Sequence, residues 1–243
     1  MRYFCAVSAA KFLLFYLLLI CSTAAMADAE DRSWQLGFSV SPDMGYRQLT
    51  NQSGGSNTNV FIRSRRNSET PALGYSSGLH LRYTANERFF IETGLQFSNN
   101  GYRMKELSII SASYQTIGKA DVRIRHQRLD IPLRLVFHPV KDSRFTLGAG
   151  LLYNIPVEVK VITELRYTDG SSETLISGDD QYGDGKNGLS ALFSAGYLLP
   201  LNKQWMLSGE LMHRAGLMNI TPGEPIGTRL WNFGLNLGFY YRL

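Results

Sequence analysis

Gly74-Tyr75-Ser76-Ser77-Gly78 fits G-x-S-x-G, the pattern that lifts a serine nucleophile onto a sharp turn between a strand and a helix. No helical periodicity follows it. The alternation of Leu73, Tyr75, Leu79 and Leu81 runs through the motif, so Ser76 and Ser77 fall in mid-strand and no nucleophile elbow is expected. Asp180-Gln181-Tyr182-Gly183-Asp184-Gly185 has part of the spacing of a calcium loop. Tyr182 takes a ligand position, however, and Ala191 stands where the bidentate Glu belongs, which predicts a solvated acidic loop. The histidines, His80, His126, His138 and His213, lie on different segments with no H-x-x-x-H pair, so neither a metal nor a cofactor is expected. His126 with Asp121 is the remaining pair suited to hydrolysis, and no serine is arranged with both.

A second set of charges reads as structural. His80, Arg82, Glu92, Asp130, Arg134, Glu210 and Arg242 all hold even positions in stretches whose odd positions are apolar. The chain ends on such a stretch, WNFGLNLGFYYRL at 231–243. The same two-faced writing, which is that of β-strands with unlike faces, covers 34–40, 73–83, 89–97, 129–137, 145–155, 189–199 and 205–211. That makes eight strands. Short connections (84–88, 138–144, 200–204) alternate with long ones (50–72, 99–128, 156–188, 212–230). Membrane barrels sort their loops by end in this way, whereas sandwiches have no reason to.

The charge pattern says which face meets which solvent. The odd positions of the six strands from 73 onward, 205–211 aside, carry no Asp, Glu, Lys or Arg, although 19% of the chain is charged. A charge facing lipid at mid-membrane costs about 2–4 kcal/mol. The even face mixes glycines 78, 94, 148, 150, 196, 234 and 238 with large Arg and Glu side chains, as the narrow interior of a small barrel requires. Opposite-charge pairing follows. If 84–88 is the turn, His80 faces Glu92; Glu92 and Arg134 stand equally far from their turns and are expected to pair. Eight strands leave room for side chains rather than an open pore. Trp34, Trp205 and Trp231 stand at strand starts, where an interfacial aromatic girdle belongs. One stretch breaks the rule: in 122–126 the apolar residues Val122 and Ile124 are on even numbers, so either a bulge resets the register near Gln127 or this stretch stands in water. Val157, Val159 and Val161 carry their strand past the roughly ten residues a membrane needs, which predicts strands projecting outside. Arg63, Arg65 and Arg66, with Arg123 and Arg125, are basic residues of the outer region suited to lipopolysaccharide phosphates.

The N-terminus reads as an export signal over residues 1–27, with Arg2 and Lys11, the apolar run FLLFYLLLI at 12–20, and Ala25-Met26-Ala27 as the cleavage pattern. A lipoprotein reading at Cys21 is weakened by Ile20 before it. Both cysteines, Cys5 and Cys21, fall in this segment, so the remainder has no disulfide. Residues 28–33 are a lead-in and 34–243 the barrel. The net charge of +5 falls to +3 without Arg2 and Lys11, and no compact basic helix accompanies it, which argues against nucleic acid.

LDIPLRLVF at 129–137, IETGLQFSNNGYR at 91–103 and GLMNI at 216–220 resemble the small outer-membrane β-barrel domain common in Bacteroidetes, which includes PorT-type proteins. That family's strands carry a Leu-Glu-Ile-Pro-Leu run, and Asp130 here replaces its Glu. The resemblance implies an eight-stranded antiparallel up-and-down transmembrane barrel with short periplasmic turns and long outer loops, in the outer membrane of a Gram-negative bacterium. It implies no single activity. The expectation is a monomeric, non-enzymatic structural or interaction protein whose partners are outer-membrane lipid and lipopolysaccharide. The alternatives are an accessory part of a PorT-type export machine, with secretion-machinery proteins as partners, and a loop-sited lipid or peptide hydrolase.

Overall fold

A computed structural model describes residues 33–112, 114–140, 143–178, 187–221 and 223–243. The expected signal segment, the lead-in and the loop Asp180–Gly185 lie outside the described residues, apart from Ser33. The elements are β1 (Ser33–Asn51), α1 (Ser56–Ser68), β2 (Glu69–Asn86), β3 (Phe89–Met104), β4 (Leu107–Ile110), β5 (Thr116–Phe137), β6 (Phe145–Tyr167), β7 (Ser172–Gly178), β8 (Gly188–Pro200), β9 (Trp205–Gly216) and β10 (Ile226–Arg242). Strands β1, β2, β3, β5, β6, β8, β9 and β10 pair antiparallel in that order, and β1 closes on β10 with Phe38 opposite Phe239. Closure leaves the ring without a free edge, the condition for a sheet to cross a membrane.

The outward face is apolar. Leu36, Phe38, Leu79, Leu95, Leu211, Leu235 and Leu237 are exposed, while their even or odd neighbours Gln35, Gly37, Gln96, Glu210 and Asn236 are buried. Two aromatic rings bound this belt. Trp34 packs on Tyr83 at 4.8 Å, and Trp205 on Phe239 and Tyr241 at 4.6 and 4.7 Å, at the end that holds the short turns. Tyr46 meets Trp231 at 5.9 Å and Tyr75 meets Phe97 at 6.3 Å at the other end. Trp231 thus sits in the outer ring, well inside β10. From Trp231 to Tyr241 the strand rises about 33 Å at about 3.3 Å per residue, or about 25 Å along the membrane normal after a tilt of about 40°. That is the height of an outer-membrane apolar band. Among the described residues no helix is long and apolar enough to cross a membrane.

Two registers differ from the expectation drawn from turn lengths. β2 runs on to Asn86, and a bulge between Thr84 and Asn86 makes Arg82 the partner of Glu92; His80 faces Gly94. The turn shrinks to Glu87 and Arg88 because Asn86 Oδ1 accepts the N–H groups of Arg88 and Phe89 at 2.9 and 3.0 Å. The second difference concerns 122–126. β5 keeps one alternation from end to end, with Ile124, His126, Arg128 and Asp130 all buried. The bulge is on β6 instead, where Gln127 faces Glu158 and Arg128 faces Pro156, leaving Val157 unpaired. Ile124 points inward because outside the band the surrounding medium is water, so the apolar side chain belongs inside and Arg123 and Arg125 outside.

Beyond the band, β5 and β6 continue and gain β4 and β7 on their flanks. The result is a four-stranded outer sheet, β4-β5-β6-β7, standing on the ring. Arg125 reaches back from it across Gly101 and donates to the Leu73 carbonyl, beside the break in β2–β3 pairing between Pro71 and Tyr75. Helix α1 lies in the first outer connection. It buries Ile62 and anchors through Arg66 Nη2 to the Leu49 carbonyl at 3.0 Å.

Leu237→Arg, at mid-band on β10, is expected to cost about 2–4 kcal/mol of folding stability in a bilayer. Thr174→Arg on exposed β7 is expected to stay within about 0.5 kcal/mol. Urea unfolding in lipid vesicles checks both.

Candidate functional site

Where the inward faces of the strands meet, ten Arg, Asp and Glu side chains are buried among the described residues: five arginines (47, 82, 128, 134, 214) and five carboxylates (Asp43, Glu69, Glu92, Asp130, Glu210). Water cannot solvate them there, so each needs a partner. The centre is a chain of alternating charge. Arg82 on β2 donates Nε to Glu92 Oε2 at 2.8 Å. Arg134 on β5 donates Nε to Glu92 Oε1 at 2.8 Å, and across the bore its Nη2 donates to Glu210 Oε1 of β9 at 3.1 Å while Nη1 bonds Oε2. The two-pronged guanidinium suits this bridging role. His80 joins through Nδ1, 3.2 Å from Glu92, with Nε2 at 2.7 Å from Ser39. Tyr240 donates its hydroxyl to Glu92 at 3.1 Å and lays its ring 3.9 Å from the Arg82 guanidinium. The ring lies over Gly37 and Gly238, where any Cβ would collide with it.

Three further groups stack toward the outside. Asp43 accepts from Ser41 at 2.6 Å, from Asn100 at 3.2 Å, from Ser76, and from Arg214 Nη1 at 2.8 Å. Asp130 accepts from Ser98 and from Asn154 at 2.7 Å, and Asn154 in turn accepts from Ser190 at 2.7 Å. Arg47 forks onto Glu69 and stacks 4.1 Å from the Tyr102 ring. A small cavity remains at either end among the described residues: about 40 Å³ beside His126 and Arg128 at the outer mouth, and about 140 Å³ beside Gln35, Tyr240 and Arg242 at the other. Between them lie the buried side chains of this network.

His80, Arg82, Glu92, Asp130, Arg134 and Glu210 therefore all point into the bore. Arg242 does not serve there. It lies exposed at the periplasmic mouth, because its even number gives it the inward face but its position puts it past the end of the packed interior. Arg63, Arg65 and Arg66 sit on α1. Arg123 is engaged by Asp121 and Glu164 at 3.3 and 3.4 Å, on the outer surface of β5. The hydrolytic pair is not assembled: His126 faces the interior and Asp121 the exterior of the same strand. Ser76 is buried and committed to Asp43 and Arg214. Sequence reasoning missed Asp43, Arg47, Glu69, Tyr240, Arg128 and Arg214. The signal was present for most: carrying the odd inward face of β1 beyond Val40 reaches Asp43 and Arg47, and carrying β9 beyond Leu211 reaches Arg214.

The chain belongs to the outer membrane protein beta-barrel domain family, which matches residues 13–242, and it lies in the outer membrane. No curated protein sequence matches it. Solved structures similar in fold include Ail, the attachment invasion locus protein of Yersinia pestis, at 12% identity and a TM-score of 0.32, covering 88% of this chain and 99% of that one. OprG of Pseudomonas aeruginosa follows at 11% and 0.37, covering 88% and 96%. The outer membrane protease OmpT of Escherichia coli stands at 10% and 0.38, covering 90% and 100%.

Arg134→Met strands Glu210 and is expected to destabilise the barrel by about 3–5 kcal/mol. Combining it with Glu210→Gln restores neutrality and is expected to cost clearly less than the two single changes added together. Unfolding of the four proteins in bilayers reads this coupling directly.

Proposed function

We propose that this member of the outer membrane β-barrel family is a monomeric, non-enzymatic protein that works through what it displays outside the cell. The observation that carries this is a bore filled by balanced charge, set against an outer sheet built well beyond the needs of membrane crossing. Filled bores do not conduct. The free edges of that sheet are β4 and β7, and they bear the exposed side chains Ile110, Leu175 and Ile176. Unpaired edges with apolar side chains are templates for another chain. Lipid is the second partner. Arg103 and Arg123 are opposite one another in register and Arg125 follows, all on the outer surface just above the Tyr75–Phe97 ring. Asp121 and Glu164 already engage Arg123, so Arg103 and Arg125 are the cations left for a lipopolysaccharide phosphate at that height. Burial, and after it the Arg123 guanidinium, lowers the proton affinity of Arg125 below the ordinary arginine range.

The purified protein in planar bilayers is expected to show no steady conductance. A photoreactive amino acid at Ile110 or Ile176 is expected to give specific protein adducts in intact cells, and one at lipid-facing Leu95 none. Steady conductance, or equal labelling at all three positions, contradicts the proposal. Adducts with components of a protein-export apparatus would support the PorT-type alternative.

A further inference from the structure

Arg128 differs from every other ionised group of the bore. It is 7% exposed, yet among the described residues it has no hydrogen bond and no ion pair, and its Nε is fully buried without a partner. The nearest acid in sequence, Asp130, is already held by Ser98 and Asn154. At the same height Arg47 is taken up by Glu69. Two residues along β5, His126 Nε2 is also buried and unpartnered. Such groups are costly unless something completes them.

Both line the 40 Å³ cavity at the outer mouth. Among its lining residues His126, Arg128, Asn154 and Ser190 are polar, and Leu230, buried on the inward face of β10, is apolar. At about 10–15 Å³ for each water-sized group, the space holds about three heavy atoms, the size of a carboxylate. His126 and Arg128 stand outward of Leu129, which pairs with Phe97 in the outer aromatic ring, so the cavity lies at the edge of the band and opens away from it. Burial, with Arg128 and Arg47 adding to it, holds the His126 imidazole down to about 3, so at neutral pH it is an uncharged hydrogen-bonding group and Arg128 supplies the charge.

We propose that this cavity binds the carboxylate of a short alkyl acid, with the carboxylate on Arg128 and His126 beside Leu230 and the alkyl chain directed out of the mouth. One guanidinium matches one carboxylate in charge and in its two-pronged geometry. Leu230 gives the carbon next to the carboxylate an apolar surface that a bare inorganic anion would not use. The outer-sheet reading does not enter this inference: a carboxylate bound at the mouth neither needs nor excludes a partner on β4 or β7.

The test uses the full chain in phosphatidylcholine nanodiscs, titrated with hexanoate: calorimetry against empty nanodiscs reads the affinity of the unaltered protein and of each variant, and in the unaltered protein the Arg128 Nε–H resonance, identified by its loss in R128K, locates the site. Saturable binding is expected, at least tenfold weaker in R128Q and intermediate in R128K, with hexan-1-ol leaving the resonance in place and inorganic phosphate binding more weakly than hexanoate. Heat-modified mobility in gels establishes that each variant is folded. If R128Q does not fold, R128K and the hexan-1-ol and phosphate arms on the unaltered protein decide. Absence of saturation with hexanoate overturns the proposal, as do equal shifts with hexan-1-ol, tighter binding of phosphate, or folded R128Q that binds as well as the unaltered protein.

Discussion

Five guanidinium groups balanced against five carboxylates inside a ring of eight strands are what the rest of this molecule is arranged around. A charge taken from water needs an opposite charge or hydrogen-bond donors and acceptors, and leaving one partner of an ion pair alone costs about 3–5 kcal/mol, a large part of the roughly 5–15 kcal/mol that holds a typical domain together. The glycines of the inner face follow from this. They give Tyr240, Arg134 and Glu210 room to lie flat across neighbouring strands. The apolar outer face follows as well, because a bore that takes the polar residues leaves lipid to be met by Leu, Phe and Tyr.

The same strands obey opposite rules at different heights. On β5, Leu129, Ile131 and Leu135 face out and Asp130 and Arg134 face in; a few residues further out, Arg123 and Arg125 face out and Ile124 faces in. The backbone alternation never changes. What changes is the medium outside, from acyl chains to water. β6 makes the switch differently, by a bulge at Val157 that puts Val159 and Val161 toward the interior and Glu158 and Lys160 toward solvent. Above the band the molecule is built as a water-facing sheet, and within it as a membrane barrel.

That change of rule is also why the sequence was legible in one region and opaque in another. Eight strands, their turns and the lipid face could be read because period-2 writing is strict where both media press on it. The meeting of Glu92 with Arg134 followed from counting out from two turns. The same counting set His80 opposite Glu92 where Gly94 stands, two residues out of register in the same strand pair, because the bulge at Thr84–Asn86 has no signature in spacing. Arg242 shows the other limit: parity gives the face a residue points to and not its height. β4, β7 and α1 lay hidden in connections where neither lipid nor a continuous core imposes a pattern, and Arg214 and Asp43 lay a few residues beyond where the apolar rhythm was followed.

Polarity that changes sense with height is best measured by spin labels on a background with Cys5 and Cys21 changed to Ser. Labels introduced by Leu237→Cys, Asn236→Cys and Arg123→Cys report collisions with oxygen, which concentrates in lipid, and with a water-soluble nickel complex. Oxygen-dominated relaxation is expected at 237, little of either at 236, and nickel-dominated relaxation at 123. Nickel access at 237 equal to that at 123, or oxygen access at 236 equal to that at 237, would contradict it.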